Sequence, residues 1–160
     1  MGLFDKIKQI KNFVTGGGAT VSVRLAESVS NGHEPIKVVI EVQVQDTDIN
    51  IRNVYLKIRA IEEVVARDVD FAREEDGELR SYQEDVTNTV ETFDDQIEVS
   101  GPETLNAHET YEWETEFELP ANANGTYRGI NAAHEWAIYA GLDMAGNDPD
   151  SGWVEIEIRK

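Results

Sequence analysis

The sequence has no cysteine, only six lysines and no apolar run that approaches the length of a membrane-spanning helix. Without cysteine, the chain can form neither a disulfide framework nor a thiol active site. A helix that crosses a bilayer needs about 20 consecutive apolar residues. The N-terminus also lacks the charged start, apolar centre and small-residue cleavage site of a secretory signal. These absences predict a cytoplasmic protein.

Acidic residues outnumber basic ones by 32 to 14, which gives a formal net charge of −18. Nucleic-acid binding depends on Lys and Arg side chains that neutralise phosphates, so this charge argues against DNA or RNA as a partner. The acids are spread along the whole chain, a pattern that favours adaptation to high intracellular salt, a halophilic character. Recruitment of basic partners and plain solubility are the alternative explanations.

The first 14 residues differ from the rest, because three lysines oppose only Asp5 and give this leader a net charge of +2. Their spacing predicts an amphipathic helix. Its candidate contact residues for a partner or a membrane are Leu3, Phe4, Ile7 and Ile10 on the apolar side, and Lys6, Lys8 and Lys11 on the other. Three roles stay open for the leader: packing on the folded body, lying on a membrane surface, or docking into a partner.

Glycines at positions 16–18 are expected to end the leader helix and form a flexible joint. We therefore divide the chain into a leader with its joint, residues 1–18, and a folded body, residues 19–160. Met-Gly at the start invites a myristoylation site, but Lys6 stands where that motif needs Ser or Thr.

The body has the alternation of apolar and polar residues that is typical of strands. The clearest case is Tyr111–Leu119, in which four glutamates alternate with aromatic and apolar side chains. Thr20–Leu25, Ile36–Gln45, Ile51–Val65 and Trp153–Arg159 follow the same pattern. Seven or eight strands with one apolar face each, and no strand–helix alternation, predict an all-β, immunoglobulin-like antiparallel sandwich.

Two segments of the body give weaker or mixed signals. Arg67–Glu84 is almost entirely charged around Gly77, and we expect a solvated loop or a ragged hairpin there. In Ala132–Leu142, alternation places His134 and Trp136 on the inner face of a strand and Glu135 on the outer face.

No catalytic constellation is visible. His33, His108 and His134 lack the clustered spacing of a zinc site, and a buried, hydrogen-bonded imidazole is the expected state of His134. The serines stand in no nucleophile-elbow context, and no phosphate-binding glycine motif is present. We therefore expect a protein without enzymatic activity and without a cofactor.

Asp143, Asp148 and Asp150 form the one weak candidate for a cation site, since calcium prefers loop oxygens of this kind. The spacing does not match an EF-hand, and an ordinary turn also uses Asn, Asp, Pro and Gly. We therefore favour a turn.

Several segments resemble a known family. The matching stretches are Val21–Leu25, Ile36–Val44, Ile51–Ile58, Phe117–Pro120, Gly129, Trp136–Ala145, Asp148–Asp150 and Val154–Ile156. Together they resemble the bacterial and archaeal sporulation-control branch of the arrestin-like clan, and the resemblance covers nearly the whole chain.

The resemblance implies the N-terminal sandwich of an arrestin and a non-enzymatic regulator or adaptor that binds proteins. The phosphate-sensing charged core of two-lobed arrestins is not carried over, because it needs a second lobe and a C-terminal tail. Sandwiches of this type bind partners along open sheet edges or through end loops.

Three functional hypotheses follow. The first is a cytoplasmic adaptor that binds a protein partner through a sheet edge or the leader. The second is a structural protein that assembles with copies of itself edge to edge, or a scaffold held at a membrane surface by residues 1–14. The third is a cation-dependent enzyme that uses the acidic loops, and the absence of a catalytic constellation argues against it.

Overall fold

The computed structural model describes residues 18–160, and this range is all-β. The strands there are β1 Ala19–Leu25, β2 Val29–Ser30, β3 Ile36–Val44, β4 Ile49–Glu75, β5 Glu78–Ser100, β6 Glu103–Leu105, β7 Thr110–Phe117, β8 Tyr127–Arg128, β9 Ala132–Met144 and β10 Val154–Ile158. Seven of them have five or more residues, which lies within the predicted seven to eight. The leader and its first two glycines lie outside the described residues. Within residues 18–160, no helix has the length and apolarity that crossing a bilayer requires.

A three-stranded antiparallel sheet has the order β1-β3-β7. Its alternation is the one that the sequence predicts: Val38, Ile40 and Val42 are fully buried, whereas Glu112 and Glu114 are exposed. The polar faces of these strands therefore meet solvent and the apolar faces meet the core.

A larger, seven-stranded sheet has the order β2-β10-β9-β4-β5, with β6 paired to β4 and β8 paired to β9. Its pairs are antiparallel except for the short parallel contact between β2 and β10. Strand β4 lies at the centre of this sheet, and β5 lies at its edge.

One cluster of buried side chains joins the two sheets. Val21 and Ile40 of the smaller sheet and Leu56, Ile58 and Ile138 of the larger one belong to it. Each fully buried aliphatic side chain contributes up to about 1.5–3 kcal/mol. The two sheets therefore form a sandwich with a single core.

The expectation of a loop over Arg67–Glu84 is wrong, and the hairpin alternative is confirmed in a regular form. Strands β4 and β5 remain paired up to Glu75 and Glu78. Asp76 and Gly77 close the turn with positive φ angles of 54° and 79°, the conformation that a two-residue hairpin turn requires. The segment lies beyond the core, so its two solvated faces give no strong apolar alternation.

Glu135 lies on the outer face of β9, as its position in the alternation predicts, but its exposed fraction is only 2%. Strand β9 lies between β4 and β10, and both of its faces are covered. The Glu135 carboxylate makes an ion pair with Arg128, with 2.6 Å between Arg128 Nε and Glu135 Oε1. Arg128 thus covers a buried acid on the outer face of the sheet.

Candidate interaction surface

Beyond Val64, the last β4 residue that pairs with β9, strands β4 and β5 continue as a two-stranded ribbon. We define the ribbon as residues 65–87, from the Val65–Thr87 pair to the turn. Its first strand, residues 65–75, extends roughly 36 Å at about 3.3 Å per residue. No other strand within residues 18–160 pairs with the ribbon, so it projects from the end of the sandwich.

A β-bulge fixes the base of the ribbon. Ala66 pairs with Val86 and Val69 with Glu84, so two residues of β4 oppose the single residue Asp85. Asp68 has a φ of 53° there, and its backbone N–H donates to Asp85 Oδ1 at 3.1 Å. A bulge increases local twist and redirects a strand, and this one is held by side-chain contacts as well as by the ladder.

Arg67 connects the bulge to the loop before β9. Its guanidinium donates from Nη1 to Asp85 Oδ2 at 3.2 Å and from Nε to Asn131 Oδ1 at 2.9 Å. Its Nη2 donates to the Ile130 carbonyl at 3.4 Å. The direction in which the ribbon leaves the sandwich is therefore set by one arginine and the loop before β9.

Apolar side chains form a stripe along one face of the ribbon. Opposite residues of a strand pair share a face, and alternate residues of a strand do so too. This places Val69, Phe71, Tyr82, Val86 and Val90 together, on the side that continues the core-facing side of the sheet. The rings of Phe71 and Tyr82 stack, with centroids 5.5 Å apart and planes 20° apart.

The large hydrophobic side chains that are exposed in the described part of the chain concentrate at this end. They are Val64 (44%), Leu79 (79%), Tyr82 (41%), Val86 (37%), Val90 (47%), Tyr127 (39%) and Ile130 (87%). All lie on the ribbon, beside its base on β4 and β5, on β8, or in the segment that leads from β8 to β9. Leu79 lies on the face opposite to Tyr82, and Glu84 lies between Tyr82 and Val86 on the stripe. A concentration of exposed apolar side chains at one end of a protein is typical of an interaction site.

The edge strand β5 surrounds this stripe with negative charge. It contains seven acidic residues and a single base, Arg80, and it has no lysine and no proline. Lysine and proline are among the devices that keep edge strands from pairing with other chains. Strand β5 therefore combines an open edge with strongly acidic flanks.

The three aspartates of the weak cation candidate each have their own hydrogen-bond partners. Asp143 accepts hydrogen bonds from Arg52 and Asn53, at 2.9 and 3.4 Å. Asp148 accepts from the backbone N–H of Met144, and Asp150 from that of Gly152. No group of three or more metal-binding side chains occurs within residues 18–160. The turn interpretation accounts for Asp148 and Asp150, whereas Asp143 lies in β9 and pairs with Arg52.

Asp150 also takes part in a tyrosine cluster on the outer face of the large sheet. Burial raises the pKa of Tyr139, and the hydrogen bond that its hydroxyl makes with Asp150 raises the pKa further. Burial likewise raises the pKa of Tyr55, whose ring stacks on that of Tyr139 with centroids 6.3 Å apart. Lys57 Nζ lies 5.6 and 5.5 Å from the two ring centroids. The cluster is a packed polar surface layer.

Gly141 is the residue that allows this layer to pack closely, and replacing it is expected to be costly. A Cβ atom at position 141 would lie 2.5 Å from Tyr55 Cζ, so Gly141→Ala forces the Tyr55 ring to move. We expect a loss of about 2 kcal/mol in the free energy of unfolding, measured by urea denaturation. Gly101→Ala is the control, since its Cβ would meet nothing within 4 Å. Equal losses in the two variants would contradict the packing argument.

His134 has the buried state that its position on β9 predicts. Its exposed fraction is 1%. Nδ1 lies 2.9 Å from the Gly125 carbonyl oxygen, which can only accept, so Nδ1 is the protonated nitrogen. Nε2 then accepts from the Thr92 hydroxyl at 2.7 Å. His33 and His108 lie on turns elsewhere, and the three histidines are not brought together.

The predicted contact residues of the leader, from Leu3 to Lys11, lie outside the described residues, and their role stays a prediction. The surface that sequence reasoning missed is the ribbon. The sequence predicts binding through open sheet edges, but the ribbon is not among the segments that it singles out for this role. The local signal that could have identified it is Asp76-Gly77 between two segments with β-branched and aromatic residues.

Comparisons with known proteins bear on the fold. No family model matches the chain, and no curated protein sequence matches it significantly. Among solved structures, Spo0M, the sporulation control protein from Bacillus subtilis, superposes with a TM-score of 0.60 over 91% of this chain. The chain has the fold of Spo0M.

This likeness confirms the predicted resemblance to sporulation-control, arrestin-like proteins at the level of fold. The two sequences are 18% identical in the comparison, and such a distance supports a shared fold and not a shared activity. The chain matches 51% of the length of Spo0M, so it corresponds to about half of that protein.

Proposed function

We propose that this chain is a non-enzymatic regulator that binds a protein partner, and that the ribbon with its apolar stripe is the binding surface. One observation carries the proposal: the exposed large hydrophobic side chains of the described residues lie on or beside this projecting, open-edged hairpin. The fold shared with a sporulation control protein supports a regulatory role of this kind.

The chemistry of the described residues favours binding over catalysis. The candidate aspartates are engaged in turns and ion pairs, and His134 makes two hydrogen bonds in the core. In contrast, the ribbon offers apolar side chains for burial, unpaired backbone groups for strand addition and acids that select basic neighbours. These are the components of a recognition surface.

Photocrosslinking in the host organism tests this proposal. A photoreactive phenylalanine analogue at position 82 should capture the partner, whereas the same analogue at Glu114 on the opposite sheet should not. Mass spectrometry of the adduct identifies the captured protein. The absence of adducts at position 82, or equal yields at both positions, would contradict the assignment of the ribbon.

A point variant then tests the identified partner directly. Val86→Glu places a charge in the apolar stripe, and we expect at least a tenfold loss of affinity, that is ~1.4 kcal/mol. Glu114→Lys is the control and should change the affinity little at high salt. Both side chains are exposed, so both variants should keep the melting temperature of the unmodified chain.

A further inference from the structure

We propose that the partner bound by the ribbon is a second copy of this chain, with the two β5 strands paired antiparallel about a two-fold axis at Tyr82. This rests on the proposed role of the ribbon as a binding surface. It adds the identity of the partner and the register in which the two strands meet.

Two features of the ribbon are energetically unfavourable in a single copy. A two-stranded hairpin without further strands is marginally stable in water. In addition, Arg73 and Arg80 lie directly opposite each other, and like charges in that position are destabilising. Glu75 is 3.7 and 3.9 Å from the two guanidinium groups, but exposed ion pairs of this kind contribute little.

The order of charges along β5 is complementary to itself. Arg80, Tyr82 and Glu84 occupy one face at two-residue intervals. A two-fold axis at Tyr82 places Arg80 of each copy opposite Glu84 of the other copy. The symmetry therefore creates two pairs of opposite charges. An axis at Arg80 or Glu84 would oppose like charges, and an axis at Ser81 would oppose Glu78 to Glu84. An axis at Gln83 opposes no like charges but leaves Arg80 opposite Val86. Among these registers only the axis at Tyr82 pairs opposite charges, and we therefore favour it.

The same register joins the apolar stripes of the two copies. Phe71 is paired with Tyr82 in each ribbon, so pairing at Tyr82 creates a row of four aromatic rings across four strands. Aromatic cross-strand pairs are among the most stabilising in sheets. The product is a four-stranded sheet with one aromatic face, in place of two marginal hairpins.

The backbone of β5 is suited to this pairing. The Glu75–Glu78 pair closes a two-residue turn, and such a pair is hydrogen-bonded, so hydrogen-bonded pairs recur at Arg73–Arg80 and at Phe71–Tyr82. The backbone groups of Ser81 therefore point away from β4, as do those of Gln83. Both are free to bond to the second copy.

Cysteine substitution provides a specific test, because the chain has no other cysteine. Since Tyr82 bonds to β4, the two Tyr82 residues would form a non-hydrogen-bonded pair with Cα atoms about 4.5 Å apart, which a disulfide can span. Tyr82→Cys should therefore give a disulfide-linked dimer of the full chain on mild oxidation.

Leu79→Cys is the matched control. Leu79 is more exposed than Tyr82, 79% against 41%, so random collision favours the control. In the proposed register the two copies of Leu79 lie roughly 20 Å apart along the strands. We expect Tyr82→Cys to oxidise at least about tenfold faster. Equal rates would overturn the proposal.

Charge exchange gives an independent readout by analytical ultracentrifugation, performed from low to high salt because of the net charge of −18. Arg80→Glu and Glu84→Arg should each reduce dimerisation at least about tenfold, and the double variant should restore it. A monomer under all conditions, or singles that dimerise normally, would overturn the self-association. If crosslinking at position 82 then captured a different protein, the ribbon would still be a binding surface and only the second copy would be excluded.

Discussion

Trp136→Ala is expected to lower the free energy of unfolding by about 4 kcal/mol. Trp136 is the largest of the fully buried side chains in the described residues, and its exposed fraction is 1%. Its ring packs against Phe93 and His134, with centroids 5.3 and 5.7 Å away. The indole N–H donates to the Asn124 carbonyl at 2.8 Å. Alanine would leave a cavity and also remove the donor of a partly buried carbonyl.

A loss of this size is a large part of the stability of a domain of this length, which is typically 5–15 kcal/mol. It corresponds to a fall of roughly 8–16 °C in the melting temperature, measurable by circular dichroism. Trp153→Ala is the control, because Trp153 lies on the outer face of the sheet against Tyr139 and is half-buried. If the two substitutions lowered the melting temperature equally, the core position assigned to Trp136 would be wrong.

The sequence predicts the core-facing side of most strands correctly, and Trp136 is an example. Where one face of a strand meets the core and the other meets water, burial imposes a period of two on the sequence. Residues of β7 such as Tyr111 and Phe117 alternate with glutamates for this reason. The fold class could be predicted because this rule holds for β1, β3, β4, β7 and β10.

The ribbon does not show this period of two in its sequence, for two physical reasons. Both of its faces meet solvent, so burial does not impose a strong alternation. The bulge at Arg67 and Asp68 also inserts an extra residue into β4, which shifts the parity between Ala66 and Val69. The apolar stripe becomes visible only when the register of β4 against β5 is known. The Asp76-Gly77 turn sets that register up to the Val69–Glu84 pair, but no local signal in the sequence marks the bulge beyond it.

Glu135 shows a second limit of prediction from the sequence. A period of two gives the face on which a residue lies, but it does not tell whether that face is covered. Strand β9 has neighbours on both edges, and Arg128 from β8 lies over its outer face. Arg128 reaches Glu135 across the β8–β9 pair. A partner on a neighbouring strand cannot be read from alternation along β9 alone.

The burial of Glu135 leads to the second large prediction. Arg128→Met is expected to lower the free energy of unfolding by about 3 kcal/mol, the lower end of the range for breaking a buried ion pair. The lower end applies because the Arg128 side chain is 40% exposed, whereas that of Glu135 is 1% exposed. Methionine keeps much of the apolar contact of the arginine side chain, so the loss reports mainly on the charge.

The decisive comparison is the double variant Arg128→Met with Glu135→Gln, measured by urea denaturation at neutral pH. An amide at position 135 carries no charge to desolvate, so the double variant should recover at least about 1 kcal/mol relative to Arg128→Met alone. Arg159→Met is the control: its ion pair with Glu157 at 2.7 Å is solvent-exposed, and its loss should cost less than about 0.5 kcal/mol. If Arg128→Met cost no more than Arg159→Met, the pair would contribute no more than a surface contact. A double variant less stable than Arg128→Met would mean that the Glu135 carboxylate is stabilised without Arg128, and the charge argument would fail.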